Sequence, residues 1–203
     1  MCGVAGIFAY GQSMSAPIEP SVLQRMSECM RRRGPDGAGL WLSDDGRIGF
    51  AHRRLSIIEL SQAGGQPMQS ADGRLIITFN GEIYNYKALR RELEAKGCTF
   101  RSRSDTEVVL QMYAVRGPDM VRALRGMYAL AIWDAAAHRL FLARDPLGIK
   151  PLYLADDGKT LSFASQVKAL LAGGRVGRTP DLAGLAGFYL MGSVPEPYTT
   201  FAS

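Results

Sequence analysis

The chain begins Met-Cys-Gly-Val-Ala-Gly-Ile-Phe (residues 1–8), a cysteine followed by an apolar run that is typical of a buried β-strand. Removal of Met1, which is usual before a small residue, would make Cys2 the N-terminal residue. Its α-amine, with a pKa of about 7.7 to 8.0, would then lie beside a thiol with an ordinary pKa of about 8.5. One residue could supply both a nucleophile and its base. The simpler interpretation is a small buried residue, and the rest of the chain decides between the two.

The composition is that of a globular protein with one main domain. The chain has 203 residues, of which 47% are hydrophobic and 21% charged, enough to bury a substantial core. The formal charge of +5 comes from scattered basic residues, apart from the run 31–33, and no segment interleaves basic with aromatic residues. This pattern argues against nucleic acid as a partner. Residues 4–10 form an apolar run that is too short to span a membrane.

The cysteines and histidines exclude several kinds of site. Cys2, Cys29 and Cys98 show no CxxC spacing, and their odd number argues against a disulfide framework, so we expect a cytoplasmic protein. His52 and His138 have no partner at metal-ligand spacing, which argues against a zinc site and against a Ser-His-Asp triad. The sequence predicts no metal site.

One segment resembles the end of a phosphate-binding loop. It is Gly158-Lys159-Thr160, but the glycine that such a loop requires five residues earlier is Tyr153 in this chain. Asp156 and Asp157 precede the segment, and an Asp-Asp-Gly sequence is typical of a hairpin turn. We therefore interpret it as a turn between two strands.

Periodicity and capping signals predict the secondary structure. Helical spacing predicts helices over residues 21–30, with Ser21 to Gln24 as a capping box, and over 86–96, 106–115, 166–171 and 182–190. Short apolar or alternating runs between turn signals predict strands over 4–10, 40–43, 48–58, 75–79, 127–133, 139–143, 151–155 and 160–164. Strands in runs with helices between them indicate two largely antiparallel sheets covered by helices.

Four polar positions allow either an ordinary or a chemical interpretation. Asn80-Gly81 follows a predicted strand, where such a pair usually forms a turn. A side-chain amide beside an unobstructed backbone N–H could instead donate two hydrogen bonds to one oxyanion. Arg54 and Asp105 are ordinary surface or first-turn charges when taken singly. Together they could clamp the α-carboxylate and α-ammonium groups of a free amino acid.

Seven segments in order resemble the N-terminal glutaminase domain of glutamine-hydrolysing asparagine synthetases. The resemblance covers nearly the whole chain, and residues 79–93 with 144–153 separate it from phosphoribosyl- and glucosamine-type amidotransferases. The segments are 2–4 (Cys-Gly-Val), 33–36 (Arg-Gly-Pro-Asp), 51–57 (Ala-His-Arg-Arg-Leu-Ser-Ile), 79–85 (Phe-Asn-Gly-Glu-Ile-Tyr-Asn), 104–107 (Ser-Asp-Thr-Glu), 126–129 (Gly-Met-Tyr-Ala) and 144–153 (Arg-Asp-Pro-Leu-Gly-Ile-Lys-Pro-Leu-Tyr).

The resemblance implies a fold and a set of site residues. The fold is α+β, an N-terminal-nucleophile hydrolase four-layer α/β/β/α sandwich with two mainly antiparallel sheets. Cys2 would be the nucleophile, and the Asn80 side chain and Gly81 N–H would form the oxyanion hole. Arg54 would bind the α-carboxylate of L-glutamine and Asp105 its α-amine. The remaining pocket residues implied are Glu82 and the segment Leu55, Ser56, Ile57 and Ile58.

The resemblance also implies a domain organisation. We expect a glutaminase domain over residues 2–174, without a cofactor of its own, followed at 175–203 by a linker and the first elements of a synthetase domain. That domain would use ATP and Mg to amidate aspartate with the ammonia released, but its SGGxDS-type phosphate loop does not occur in this sequence. A homodimer is compatible with this organisation.

Other interpretations remain open at this point. The enzyme could amidate another carboxylate, such as a sugar acid in polysaccharide biosynthesis, or the domain could bind glutamine as a non-catalytic regulatory module. One residue departs from the family pattern: Gln166 stands where the family usually has Glu. We expect this difference to concern contact with the synthetase domain.

Overall fold

The computed structural model describes residues 1–11 and 17–202. Within these residues the chain folds into strands and helices that largely match the predicted order. The strands are β1 (Gly3–Ala9), β2 (Gly37–Leu42), β3 (Ile48–Arg54), β4 (Met68–Gln69), β5 (Leu75–Ile83), β6 (Gly126–Asp134), β7 (Arg139–Arg144), β8 (Tyr153–Asp156) and β9 (Thr160–Ala164). The helices are α1 (Pro20–Cys29), α2 (Tyr86–Ala95), α3 (Asp105–Arg116), α4 (Val167–Gly173) and α5 (Leu182–Met191), with 3-10 turns at Gln62–Gly64 and Gly117–Arg122.

The strands form two antiparallel sheets. Sheet 1 has the order β2-β3-β1-β9-β8, and sheet 2 has the order β4-β5-β6-β7. Helices α1 and α4 cover the outer face of sheet 1, and α2 and α3 cover the outer face of sheet 2. The predicted four-layer α/β/β/α sandwich is thereby confirmed.

Apolar layers lie between each sheet and its helices. Because side chains alternate between the two faces of each strand, a third apolar layer lies between the two sheets. Phe50 and Phe163 meet edge to face in this layer, with ring centroids 5.8 Å apart. Its buried members are Ile48, Phe50, Ile76, Ala131, Trp133 and Phe163. Further along β3 and β5 the same faces carry polar residues instead, and the two sheets enclose a cavity there.

Two predicted strand ends were wrong. The strand predicted over 48–58 ends at Arg54, because the Arg54 side chain donates hydrogen bonds to the carbonyls of Glu59 and Ser61 and folds residues 55–61 into a loop. The strand predicted over 75–79 continues to Ile83, because β6 pairs with it along its whole length. Asn80-Gly81 therefore lies inside a strand, and the turn interpretation of this pair was wrong.

Helix starts were predicted within a few residues, but the side chains expected to cap α1 and α2 do not cap them. Helix α1 begins at Pro20, and Ser21 donates to the Glu19 carboxylate instead of capping the helix. Asn85 precedes α2, but its amide group binds the Ala123 carbonyl and the Arg125 N–H across the fold. These side chains find tertiary partners that no local pattern reveals.

One aspartate organises the segment that follows β7. The Asp145 carboxylate accepts hydrogen bonds from the backbone N–H groups of Tyr128, Leu147, Ile149 and Lys150 at 3.0 to 3.2 Å. Burial alone would raise the pKa of Asp145, but these four donors together hold it below its ordinary value. The ionised carboxylate thus fixes the turn that brings Lys150 to the cavity.

A buried histidine joins the two sheets behind this cavity. His52 Nδ1 lies 3.0 Å from Thr78 Oγ1, and both residues are fully buried. Among the described residues, His52 Nε2 has no hydrogen-bond partner. Burial, assisted by the nearby Arg54 cation, lowers the pKa of His52 from 6.5 to about 3. The imidazole is therefore neutral in the folded protein.

We predict that His52 makes the fold sensitive to acid. The pKa of the folded state is below that of the unfolded state, so stability is complete above pH 6.5 and is lost as the pH falls. Between pH 7.5 and 5 the loss from this residue is about 2 kcal/mol. Urea unfolding of wild type and His52→Gln at both pH values checks this. The difference between the two proteins should shift by that amount in favour of the variant, and a constant difference would contradict the prediction.

Candidate active site

The cavity lies between the two sheets, where β1 begins and where β3 ends. All predicted site residues except Ser56 line it; the Ser56 N–H instead donates to the Asp36 carboxylate at 2.9 Å. The complete lining is Met1, Cys2, Arg54, Leu55, Ile57, Ile58, Glu59, Gly64, Gln66, Phe79, Asn80, Gly81, Glu82, Ser104, Asp105, Thr106, Met127 and Lys150.

Cys2 is held immediately before the central strand of sheet 1. Its Sγ lies 3.3 Å from the Leu55 N–H nitrogen and 3.6 Å from the Leu55 carbonyl oxygen, and Arg33 Nε donates to the Cys2 carbonyl at 3.0 Å. Burial raises the pKa of the Cys2 thiol, although the Leu55 N–H, the N-terminal ammonium and Arg54 oppose this. A thiol that stays protonated needs a base before it can attack.

Met1 also lines the cavity, with 52% of its surface exposed. While Met1 is present, the nitrogen of Cys2 is an amide and cannot accept a proton. Its removal would create an α-amine beside the thiol, inside the same cavity. The position of Cys2 thus suits self-activation once the initiator residue is lost.

Strand β5 supplies two hydrogen-bond donors through the alternation of its backbone. Side chains at even positions of β5 face sheet 1, so Asn80 directs its amide into the cavity, where Nδ2 is buried without a partner among the described residues. The N–H groups of Phe79 and Ile83 both point away from β6 and bond to side chains. The Gly81 N–H lies midway and points the same way, toward an edge where no strand of the described part of the chain pairs with β5.

Glycine is required at position 81 by packing. A Cβ atom there would lie 2.5 Å from the Met127 carbonyl oxygen and 2.8 Å from Phe79 Cζ, on the face of the sheet opposite the cavity. The sequence suggests that glycine serves to leave its own N–H accessible. The structure gives a different reason for glycine at this position: any side chain would separate β5 from β6 and displace both donors.

Arg54 shapes the wall opposite these donors. Its guanidinium donates to the Ser61 carbonyl at 2.9 Å and to the Glu59 carbonyl, while Gly64 packs directly against it. The Glu59 carboxylate in turn accepts from the Arg103 N–H at 3.1 Å, at the start of α3. Hydrogen bonds from Arg103 and Ser61 lower the pKa of Glu59 to about 2, so this link is ionised at neutral pH.

Asp105 supplies a buried anion across the cavity from Arg54. Ser104 caps α3 by accepting from the Thr106 N–H at 3.1 Å, and Asp105 is the first residue of the helix. Its carboxylate accepts from the Ile83 N–H at 3.0 Å and is only 5% exposed. Burial, with a smaller contribution from Glu82, raises the pKa of Asp105 from 3.8 to about 6.

We predict that Asp105 destabilises the ligand-free fold at neutral pH. Its folded-state pKa is above the unfolded value, so the folded protein binds more protons, and stability falls as the pH rises through 6. Asp105→Asn should therefore unfold at higher urea concentration than wild type at pH 7.5. Its advantage should shrink by about 2 kcal/mol at pH 4.5. An advantage that does not depend on pH would show that Asp105 carries no such shift.

Nine further lining residues were not predicted as site residues, among them Gln66, Thr106, Met127 and Lys150. Gln66 lies in a loop before β4, and Lys150 follows the turn built on Asp145. Lys150 is 6% exposed, and its ammonium group has no ion pair among the described residues. Thr106, Met127 and Lys150 lie within segments that carry the family resemblance. Gln66 lies outside those segments, and its partners Phe79 and Thr106 are far along the chain.

The described residues contain no group of three or more metal-ligating side chains. No helix among them is long and apolar enough to cross a membrane. The N–H groups of Gly158, Lys159 and Thr160 donate to the carboxylates of Asp156 and Asp157 at 2.7 to 2.9 Å. The backbone N–H groups that would cradle a phosphate in a phosphate-binding loop are therefore already bonded within the hairpin.

The chain was compared with known proteins. It is 41% identical over 199 residues to asparagine synthetase [glutamine-hydrolyzing] 1 of Bacillus subtilis, a match that covers 98% of this chain and 31% of the relative. It is 38% identical over 172 residues to asparagine synthetase B of Escherichia coli, covering 84% of this chain and 30% of that one. The chain thus spans about a third of the length of these relatives.

Solved structures support the fold. The glutamine phosphoribosylpyrophosphate amidotransferase of B. subtilis superposes with a TM-score of 0.71 at 23% identity, over 85% of this chain and 44% of that one. This fold is that of the N-terminal-nucleophile hydrolases. The family described as "Glutamine amidotransferase domain" matches residues 1–203, and together with the fold and the cavity this match shows that the chain belongs to the glutamine amidotransferase domain family.

Proposed function

We propose that this domain hydrolyses L-glutamine to L-glutamate and ammonia, with Cys2 as the nucleophile. The observation that carries the proposal is the convergence of three groups on one cavity: the Cys2 thiol, the unpartnered Nδ2 of Asn80 and the Gly81 N–H. Arg54 and Asp105 place opposite charges at the same cavity, as a zwitterionic amino acid requires.

The reaction follows from the roles of these groups. After loss of Met1, the α-amine of Cys2 takes the thiol proton, directly or through a water molecule, and the thiolate attacks the side-chain carbonyl carbon of glutamine. Asn80 Nδ2 and the Gly81 N–H stabilise the oxyanion that forms. The protonated amine then protonates the departing ammonia and leaves a thioester on Cys2. Water hydrolyses the thioester, releases glutamate and restores the thiol.

The remaining lining residues hold the substrate. Arg54 pairs with the α-carboxylate through donors that its two loop carbonyls leave unused, and ionised Asp105 pairs with the α-ammonium group. Glu82 and the backbone of Leu55, Ile57 and Ile58 complete the pocket. The Ser56 N–H is bonded to Asp36 and is not available to the substrate, so Ser56 contributes only the path of its backbone to the pocket.

We predict that Cys2→Ala abolishes glutamine hydrolysis but retains glutamine binding, because it removes the nucleophile and leaves the charged clamp intact. Cys29→Ala, which removes a cysteine on α1 that does not line the cavity, should hydrolyse glutamine at the wild-type rate. Glutamate release and isothermal titration with glutamine measure the two properties.

The role of the α-amine is tested separately. A variant with an extension before Cys2 that aminopeptidase cannot remove should be as inactive as Cys2→Ala. Intact mass establishes the N-terminus of each protein. Hydrolysis at the wild-type rate by the extended variant would exclude the α-amine as the base.

Asn80 and Arg54 should affect different kinetic constants. Asn80→Ala removes an oxyanion donor and should lower kcat by roughly 10² to 10³ with little change in KM. Arg54→Ala removes charge-assisted hydrogen bonds worth about 1.5 to 3 kcal/mol in ground and transition states alike, so it should act chiefly on KM. Arg91→Ala on the exposed face of α2 serves as the control. An unchanged KM for Arg54→Ala would remove Arg54 from the clamp.

We further propose that the ammonia serves an ATP- and Mg-dependent synthetase domain that amidates aspartate. The curated relatives named asparagine synthetase support this, because they match 98% and 84% of this chain, which covers only about a third of their own length. Residues 175–203 would begin that domain, in a cytoplasmic enzyme that could act as a homodimer. This chain alone should form no asparagine from glutamine, aspartate and MgATP, because the SGGxDS-type phosphate loop does not occur in its sequence. Formation of asparagine by this chain would contradict the assignment of synthesis to a further domain.

A further inference from the structure

The open edge of β5 is completed by a side chain instead of a strand. Strand β4 pairs with β5 only at Met68 with Ile77 and Gln69 with Ile76. At the next position on that edge, Gln66 Oε1 accepts from the Phe79 N–H at 2.7 Å, and Gln66 Nε2 donates to the Phe79 carbonyl at 3.2 Å. The amide of one glutamine thus makes both hydrogen bonds that a neighbouring strand would make.

We propose that Gln66 is a positioning residue for the oxyanion hole formed by Asn80 and Gly81. This inference rests on the proposed glutaminase function. Gln66 does not need to touch the reacting atoms, because it acts through the backbone of Phe79, the residue that precedes both donors.

The geometry explains why this position needs a fixed partner. An unpaired edge would leave the buried Phe79 N–H and carbonyl unsatisfied and free to twist, and the next two residues carry the donors. Catalysis by such donors depends on their being held in place before the reaction begins. Beyond Gly81, the Asp105 carboxylate accepts a hydrogen bond from the Ile83 N–H. The edge of β5 is therefore held by a side chain on each side of the Gly81 N–H.

Gln66 is itself fixed from two directions. Its backbone carbonyl lies so close to Gly39 of β2 that a Cβ atom at position 39 would overlap it. Its Nε2 also donates to Thr106 Oγ1 at 3.3 Å, next to Asp105 on α3. Gln66 therefore connects the edge of sheet 1, the oxyanion donors on sheet 2 and the helix that carries the amine-binding carboxylate.

Gln66→Ala should lower kcat for glutamine hydrolysis about 10- to 100-fold, less than the loss of a donor itself, and change KM by less than about threefold. Gln66→Glu keeps the acceptor for the Phe79 N–H but cannot donate to the Phe79 carbonyl when ionised. It should therefore recover part of kcat when it is protonated at low pH, relative to wild type at the same pH. The matched control is Gln69→Ala, an exposed glutamine on β4 that pairs through its backbone, and it should behave as wild type.

A measurement that does not require activity separates positioning from a purely structural role. The ¹⁵N resonance of the Asn80 side-chain amide should shift in Gln66→Ala and Gln66→Glu, but not in Gln69→Ala, in protein that remains folded by circular dichroism. If Gln66→Ala does not fold, Gln66→Glu carries the test.

The outcomes are distinct. An unmoved Asn80 resonance would overturn the proposal, and so would a kcat within twofold of wild type in the folded Gln66 variants. In either case the proposed function stands as long as the wild-type protein hydrolyses glutamine. A wild-type protein with a free Cys2 that does not hydrolyse glutamine would overturn the proposed function. The Asn80 resonance would still decide in that case whether Gln66 holds the donor.

Discussion

The register of β5 against β6 is the constraint on which the rest of the site depends. With Asn80 opposite Ala129, the even positions of β5 face sheet 1 and the odd N–H groups point to the open edge. One side-chain donor and one backbone donor then serve the same cavity from adjacent residues. A slip of one residue would turn Asn80 into the outer core and pair the Gly81 N–H with β6. Glycine at position 81 protects this register, because a larger residue cannot lie between Phe79 and Met127.

The cavity combines charges that are unfavourable without a ligand. Asp105 is buried near Glu82, and burial raises its pKa, so its protein surroundings disfavour the anion. Arg54, in contrast, uses its guanidinium to hold residues 59–61 in place, so the cation is fixed before any substrate arrives. Under the proposed function, an amino acid that brings an ammonium group to Asp105 would relieve the first cost and meet a rigid partner at Arg54. The site would then exchange stability of the free fold for affinity.

How much of this could be read from the sequence depends on how local each feature is. The strands, the helices and two antiparallel sheets covered by helices follow from periodicity and turn residues, whereas the four-layer sandwich was implied by the family resemblance. The resemblance also pointed to Cys2, Asn80 and Asp105, which line one cavity. The end of β3 at Arg54 could not be predicted, because Ile57 and Ile58 continue an apolar pattern that the arginine side chain overrides by bonding to its own loop. Gln66 gave no signal at all, since its partners Phe79 and Thr106 lie 13 and 40 residues away.

The proposed role of Cys2 as a nucleophile presents a mechanical difficulty, because chain termini usually fray. This fold solves it by making the first strand central. Strand β1 pairs with β3 on one side and β9 on the other, and the Val4 N–H donates to Ser165 Oγ at 3.0 Å, across 161 residues of chain. Arg33 holds the Cys2 carbonyl itself. The position of the thiol is therefore set only when strands from both halves of the domain have assembled around β1, and a terminal residue acquires the rigidity of the core.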